Sequence, residues 1–210
     1  MRSCSRIVLV ITLAFVLAGC ILPVPSPAVT PVAVIQSPTP VMPLDMLATE
    51  QPTLAPTASV PADWQTYTDL TYSFTFRYPV EGQIVSQQDH SARISLPFML
   101  GTNLVEKFID VAVTENADPC VSQNAGVNQS KPLTVNCIPF LEESGADAGA
   151  GQYYEWLAYS TSRNNICVSL SFVFHSTNPG NYATPPPLFD KPAESDIFAP
   201  ILATFVWLNP

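Results

Sequence analysis

The chain has 210 residues and carries 17 acidic against 8 basic side chains, a formal net charge of −9 at neutral pH. No basic stripe is present to neutralise a phosphate backbone, which excludes nucleic acid as a partner, and so acidic a surface is also repelled by anionic lipid headgroups. Length alone permits one or two domains, but ten of the 22 prolines fall between Ile21 and Ala62, where no packed core can form, so one domain is expected.

The first residues read as an export leader. Arg2 and Arg6 make a positive start without an acid, and Ile7 to Leu17 is a nearly unbroken apolar run, IVLVITLAFVL. That run is short for a membrane-spanning helix, which needs about 20 residues. Leu17-Ala18-Gly19-Cys20 follows where a signal is cut. It resembles the lipobox of bacterial lipoproteins, with small residues at the cut and a cysteine that accepts diacylglycerol. An A-x-A secretory site fits less well, because Leu17 occupies a position that wants a small residue. The reading is a signal peptide over residues 1–19 and a lipidated Cys20. Loss of Arg2 and Arg6 takes the net charge to −11. Two or three acyl chains, at about 0.8 kcal/mol per buried methylene, make a durable anchor. The expected location is the cell membrane or outer membrane, with the domain outside the cytoplasm.

Residues 20–62 then form a Pro- and Thr-rich tether whose charged residues are Asp45 and Glu50. Repeated proline fixes φ and removes donors, so an extended, polyproline-like spacer is expected. The remaining 148 residues, 63–210, suit a single globular domain.

Within the domain, Tyr72, Phe74, Phe76 and Tyr78 alternate with polar residues, which predicts a strand with one aromatic, buried face ended by Pro79. Ala92, Ile94 and Leu96 alternate in the same way, as do Ile109, Val111 and Val113; 133–140 is a weaker candidate. Segments 152–161 and 166–175 flank Ser162-Arg163-Asn164-Asn165 and predict a hairpin. Gly145 to Gly151 reads as a solvated loop of small residues. Between Asp190 and Phe205, the spacing of Ile197, Phe198, Ile201, Leu202 and Phe205 predicts an amphipathic helix that Pro200 should kink or interrupt. The expected class is α+β, an antiparallel sheet packed with helices; an all-β sandwich is the alternative.

Two stretches carry a family resemblance. WQTYTDLTYSFTFRYP (64–79) resembles the opening of PsbP-like domains of bacterial lipoproteins, and IFAPILATFVWL (197–208) resembles the helix and short strand that close them. The resemblance covers about a quarter of the domain and implies an antiparallel sheet sandwiched by helices. It implies no activity.

Three cysteines remain in the domain, an odd number for an oxidising compartment. Cys137 shares a face with Leu133 and Val135 and reads as a buried small hydrophobe; Cys167 faces away from Val168 and Leu170; Cys120 lies in the loop after a strand. A Cys120–Cys167 disulfide with Cys137 free is therefore predicted. Loop entropy does not separate the pairings, at about 4 kcal/mol against about 3 for Cys120–Cys137. No cysteine pair has metal-site spacing, and no metal or other cofactor is expected.

Catalytic signatures are absent. His90 lies in a polar turn and His175 at a strand end, outside any G-x-S-x-G, H-E-x-x-H or phosphate-loop pattern. Glu142, Glu143 and Asp147 lack the ordered spacing of a calcium loop. Alternation puts Tyr154 and Trp156 on one face of their strand and Tyr153 and Tyr159 on the other, so one pair faces away from the core. An aromatic strip of that kind suits a partner or a carbohydrate, unless a second layer covers it. The expectation is a lipid-anchored, non-catalytic accessory or binding module with a protein partner at the cell envelope. A solute- or polymer-binding lipoprotein is the alternative, and an envelope hydrolase the third.

Overall fold

The structure, a computed structural model, describes residues 60–208. The leader, Cys20 and all but the end of the expected tether lie outside the described residues. Two antiparallel sheets share one core. Strands β1 (Gln65–Asp69) and β2 (Phe74–Tyr78) pair with the short β10 (Val206–Trp207) in the order β1-β2-β10. The larger sheet holds β3 (Gln83–Gln88), β4 (Ser91–Ser95), β5 (Leu104–Glu115), β6 (Val127–Val135), β7 (Ile138–Gly149), β8 (Gln152–Arg163) and β9 (Ile166–Thr177), in the order β3-β4-β5-β9-β8-β7-β6.

The α+β expectation is corrected by this arrangement. The molecule is predominantly β, and its α-helices are two pieces of five residues, α1 (Lys191–Ser195) and α2 (Phe198–Leu202). The helical spacing around Ile197 is real, but the helix breaks between the two pieces at Asp196 and Ile197. Pro200 does not kink a long helix. It sits in the first turn of α2, where its missing N–H leaves no intrahelical bond unmade.

The core lies on one face of the large sheet. Ile109 and Val111 of β5 meet Leu170 and Phe172 of β9, and Phe74 and Phe76 of β2 cover them together with Phe198, Ile201 and Leu202 of α2. Phe205 stacks on Phe74 at 5.8 Å and meets Phe140 edge-on at 5.5 Å, tying the chain's end to both sheets. Such ring pairs add about 0.5–1.5 kcal/mol each beyond the area they bury.

Two hairpins differ from each other in legibility. β8 and β9 join through Asn164 and Asn165, both at positive φ (50° and 64°), within the predicted connection. The stretch 133–140, in contrast, is two strands rather than one. Asn136 and Cys137 form a two-residue turn at φ 49° and 65°, so Cys137 is exposed and not a buried hydrophobe. Gly145 to Gly149 belongs to β7 and Ala150-Gly151 is its turn, which corrects the loop reading of this segment.

Order in the large sheet forces one long crossing. β5 ends in the middle of the sheet and β6 forms its edge, so residues 116–126 pass over β9, β8 and β7 on the face away from the core. This strap is tied at several points. Cys120 is disulfide-bonded to Cys167 of β9, the pairing expected from the facing of the cysteines. The Ser122 N–H donates to Glu143 of β7 at 2.6 Å, and the Asn124 amide donates to Ser171 of β9 at 2.8 Å. Beneath it lies a second small cluster of Phe108, Trp156, Ala158 and Val173. Disulfides of this kind persist mainly in oxidising compartments, and no helix among the described residues is long and apolar enough to cross a membrane.

Buried tyrosines make the core sensitive to alkali. Tyr67, packed on Phe76 at 5.1 Å, has its phenol pushed up to about 12 by burial and then by the charge of Asp69. Burial also raises Tyr159 and Tyr78. A raised folded pKa means that the unfolded chain loses its protons first. The stability these tyrosines contribute is therefore fully present below pH 10, the ordinary tyrosine value, and falls as pH climbs toward 12. Urea titrations at stepped pH should show this decline, and Tyr67→Phe should make it shallower.

Candidate functional site

The strongest cavity follows from strand lengths. β6 pairs with β7 only as far as Gly145, so the β7–β8 hairpin projects past its neighbour. Its tip carries Ala146 and Ala148 on the core face, side chains too small to fill the space above them. The segment running from Asn178 to Asp190 passes alongside and closes a cleft of about 520 Å³. Ligand pockets of about 300–1,000 Å³ are typical, with mostly apolar linings and a few polar groups.

Asn103 positions the wall. Its backbone N–H donates to the Pro187 carbonyl at 2.8 Å, its side-chain amide donates to the Thr177 carbonyl at 3.0 Å, and its Oδ1 accepts from the Phe189 N–H at 2.9 Å. The other end is held where the Asn178 N–H donates to the Gly151 carbonyl at 2.9 Å. Gly151 stands at φ +78°, and a Cβ there would lie 2.2 Å from the Asn181 side chain. The result places Tyr153 (39% exposed) and Leu188 (73% exposed) across from the alanines. Phe189 packs behind, 5.3 Å from Phe174. At the rim, Lys191 donates to Glu155 at 2.7 Å.

The basic groups are already partnered, and that limits the chemistry. Among the described residues all six basic side chains are engaged. Four are in ion pairs (Arg93–Asp110, Lys107–Glu194, Lys131–Glu142, Lys191–Glu155), while Arg77 and Arg163 donate to backbone carbonyls. An anionic ligand would have to displace one of these contacts. The histidines are also committed. His90 sits 2.6 Å from the Tyr72 hydroxyl, and His175 lies 3.0 Å from Glu106 and 2.7 Å from Gln152. Neither borders the cleft.

The far face of the sheet carries a smaller cavity of about 200 Å³, between the strap and the aromatic strip. The expected alternation holds there: Trp156 joins the small cluster beneath the strap, Tyr154 stacks on His175 at 4.3 Å, and Tyr159 turns into the core. The strap buries Trp156 to 7% exposure but leaves Tyr154 at 38%. Asp147 borders both cavities, because β7 has no outer neighbour beyond Gly145.

Gly145 lies beneath the strap, against Gly126 and Trp156. A Cβ at this position would stand 2.2 Å from the Gly126 carbonyl and 2.4 Å from the ring of the buried Trp156. Gly145→Ala must push the strap away from the sheet and should cost about 1–3 kcal/mol, the usual range for overpacking. A chemical denaturation curve of the variant checks this.

The expected metal and catalytic absences leave the disulfide cysteines and Cys20 as the site residues named from sequence. Cys120 and Cys167 are brought together, and Cys20 lies outside the described residues. Sequence reasoning missed the cleft. Its one signal was the Gly145–Gly151 stretch, whose small residues form a strand floor rather than a loop.

No family model matches the chain, and no curated protein matches it. Among solved structures, the chain is similar to a crystal structure from Bacteroides thetaiotaomicron, with 12% identity and a TM-score of 0.48 over 70% of this chain. It spans about half of that protein, 49% of its length. It is also similar to the solution structure of cyanobacterial PsbP (CyanoP) from Synechocystis, with 9% identity and a TM-score of 0.45 over 73% of this chain and 98% of that one. Likenesses of this size carry no conclusion about ligand, partner or activity.

Proposed function

We propose that the protein is a lipid-anchored, non-catalytic binding module of the cell envelope, held by Cys20 and presenting the Tyr153–Leu188 cleft to an occupant outside the cytoplasm. The observation that supports this most is the cleft itself, about 520 Å³ with exposed apolar side chains on a disulfide-tied scaffold. Two of its polar groups serve the walls: Asn103 spends its amide on backbone groups, and Glu155 holds Lys191. That arrangement suits holding rather than transforming a ligand. The lipobox at Leu17 to Cys20 supports the anchor.

Native mass spectrometry of the full chain, extracted from its own membranes without reductant, tests the binding role. Wild type should carry an occupant that Leu188→Asp loses. A bare wild-type chain, or an occupant retained by the variant, would contradict it. A small solute as occupant would mark a solute-binding lipoprotein, and a protein occupant an accessory subunit.

A further inference from the structure

We infer that the face of the large sheet opposite the core carries a second site, one for a neutral or amino-bearing sugar ring, built by Tyr154, Trp156, Asp147 and Asn124 beside the Arg93–Asp110 pair. These six residues border the 200 Å³ cavity left open between the strap and the strands.

A sugar ring has two kinds of surface: apolar C–H faces, and a periphery of hydroxyls that both donate and accept. A matching site needs an aromatic face and planar polar groups set around it. Tyr154 supplies the face. One side of its ring is backed by His175, stacked at 4.3 Å with an interplanar angle of 10°. Tyr154 is 38% exposed and borders the cavity, which His175 does not. His175 is in turn held by Glu106 and Gln152, which fixes the tyrosine's backing. An aromatic platform positioned in this way loses little freedom when a ring settles on it.

The polar groups cover both roles. Trp156 borders the cavity with 7% of its surface exposed, and its indole N–H is a donor. A hydroxyl oxygen of a ring in the cavity would accept from that donor. Asn124 donates to Ser171 at 2.8 Å and keeps its Oδ1 as an acceptor. Asp147 holds only its neighbour Ala148's N–H, at 2.8 Å, and keeps acceptor capacity.

Charge decides the class of sugar. Arg93 is neutralised by a two-point contact with Asp110 at 2.7 and 2.8 Å, and its guanidinium lies 3.9 Å from the centre of the Phe108 ring. The remaining charge at the cavity is the Asp147 carboxylate, which repels sulfated or phosphorylated sugars. The site is independent of the cleft reading, since it lies on the other face and shares with the cleft only Asp147 at the sheet edge.

Isothermal titration of the detergent-solubilised full chain with cellohexaose, xylohexaose and chitohexaose provides the test. At least one should bind with a dissociation constant in the millimolar range or tighter. Tyr154→Ala should weaken that binding at least tenfold, Tyr154→Phe should restore it, and Leu188→Asp in the cleft should leave it unchanged. Urea midpoints of the variants establish that they fold. No binding by any of the three sugars at millimolar concentration, or binding that Tyr154→Ala leaves intact, would overturn the inference.

Discussion

Glu194→Gln is expected to destabilise the domain by about 3–5 kcal/mol, the range for removing one member of a buried ion pair. Glu194 of α1 and Lys107 of β5 are both nearly inaccessible, at 8% and 5% exposure. The Lys107 ammonium donates to Glu194 Oε2 at 2.5 Å and to its backbone carbonyl at 3.2 Å, while Oε1 accepts from the Met99 N–H at 2.7 Å. Glutamine leaves the lysine charge in the interior with no counter-charge, and one end of the carboxylate's acceptor set becomes a donor. The Lys107→Met, Glu194→Leu double variant should recover much of the loss, because the buried charge is gone. It should still fall short by about 1–3 kcal/mol, since the Met99 N–H loses its acceptor. Urea unfolding monitored by circular dichroism measures both. A loss below about 1 kcal/mol for Glu194→Gln would mean that the pair is hydrated and not buried. The consequence reaches the cleft, because α1 begins at Lys191 and follows directly on the wall residues Leu188 and Phe189.

Opening the disulfide should have an effect of similar size. Cys120 and Cys167 enclose a sequence separation of 47 residues. The chain-entropy relation gives about 4 kcal/mol for such a loop. Cys167→Ser, or reduction with dithiothreitol, should lower the urea midpoint accordingly. It should also loosen the strap, exposing Trp156 and shifting tryptophan fluorescence to longer wavelength. Cys137→Ser is the control. The thiol is exposed on a two-residue turn, so its removal should leave stability within about 0.5 kcal/mol of wild type. A reduced protein as stable as the oxidised one would show that the Ser122 and Asn124 contacts hold the strap without the disulfide.

Alternation was informative wherever one strand face met the core. Phe74 and Phe76, Ile109 and Val111, and Leu170 and Phe172 all lie where period two places them. The Cys120–Cys167 pairing was legible for the same reason, since Cys167 had to point away from Leu170 and toward whatever crossed the other face. β3 was not legible, because all six of its residues are exposed and no face repeats. The turn at Asn136-Cys137 was missed because apolar residues continue on both sides of it. The helical spacing from Ile197 to Phe205 overstated the helix, since the five-residue α2 buries Phe198, Ile201 and Leu202 and the chain has left the helix by Phe205.

The sites were harder to see than the strands. The cleft depends on β7 and β8 outrunning β6, a difference of register that no local pattern records. Lys107 sits in phase with Ile109 and Val111, so its burial could be read from alternation, but its partner lies 87 residues away. The aromatic strip was visible, as was the alternative that another layer would cover it. The strap covers Trp156 and leaves Tyr154 partly open, so each reading holds for one of the two residues.

The anchored binding module is tested most directly at Cys20, by mass spectrometry of the intact chain extracted from host membranes. The account predicts a mature chain that begins at Cys20 and carries diacylglycerol on its thiol, with Cys20→Ala abolishing the lipid mass. A chain that retains residues 1–19, or that begins elsewhere without lipid, would contradict it.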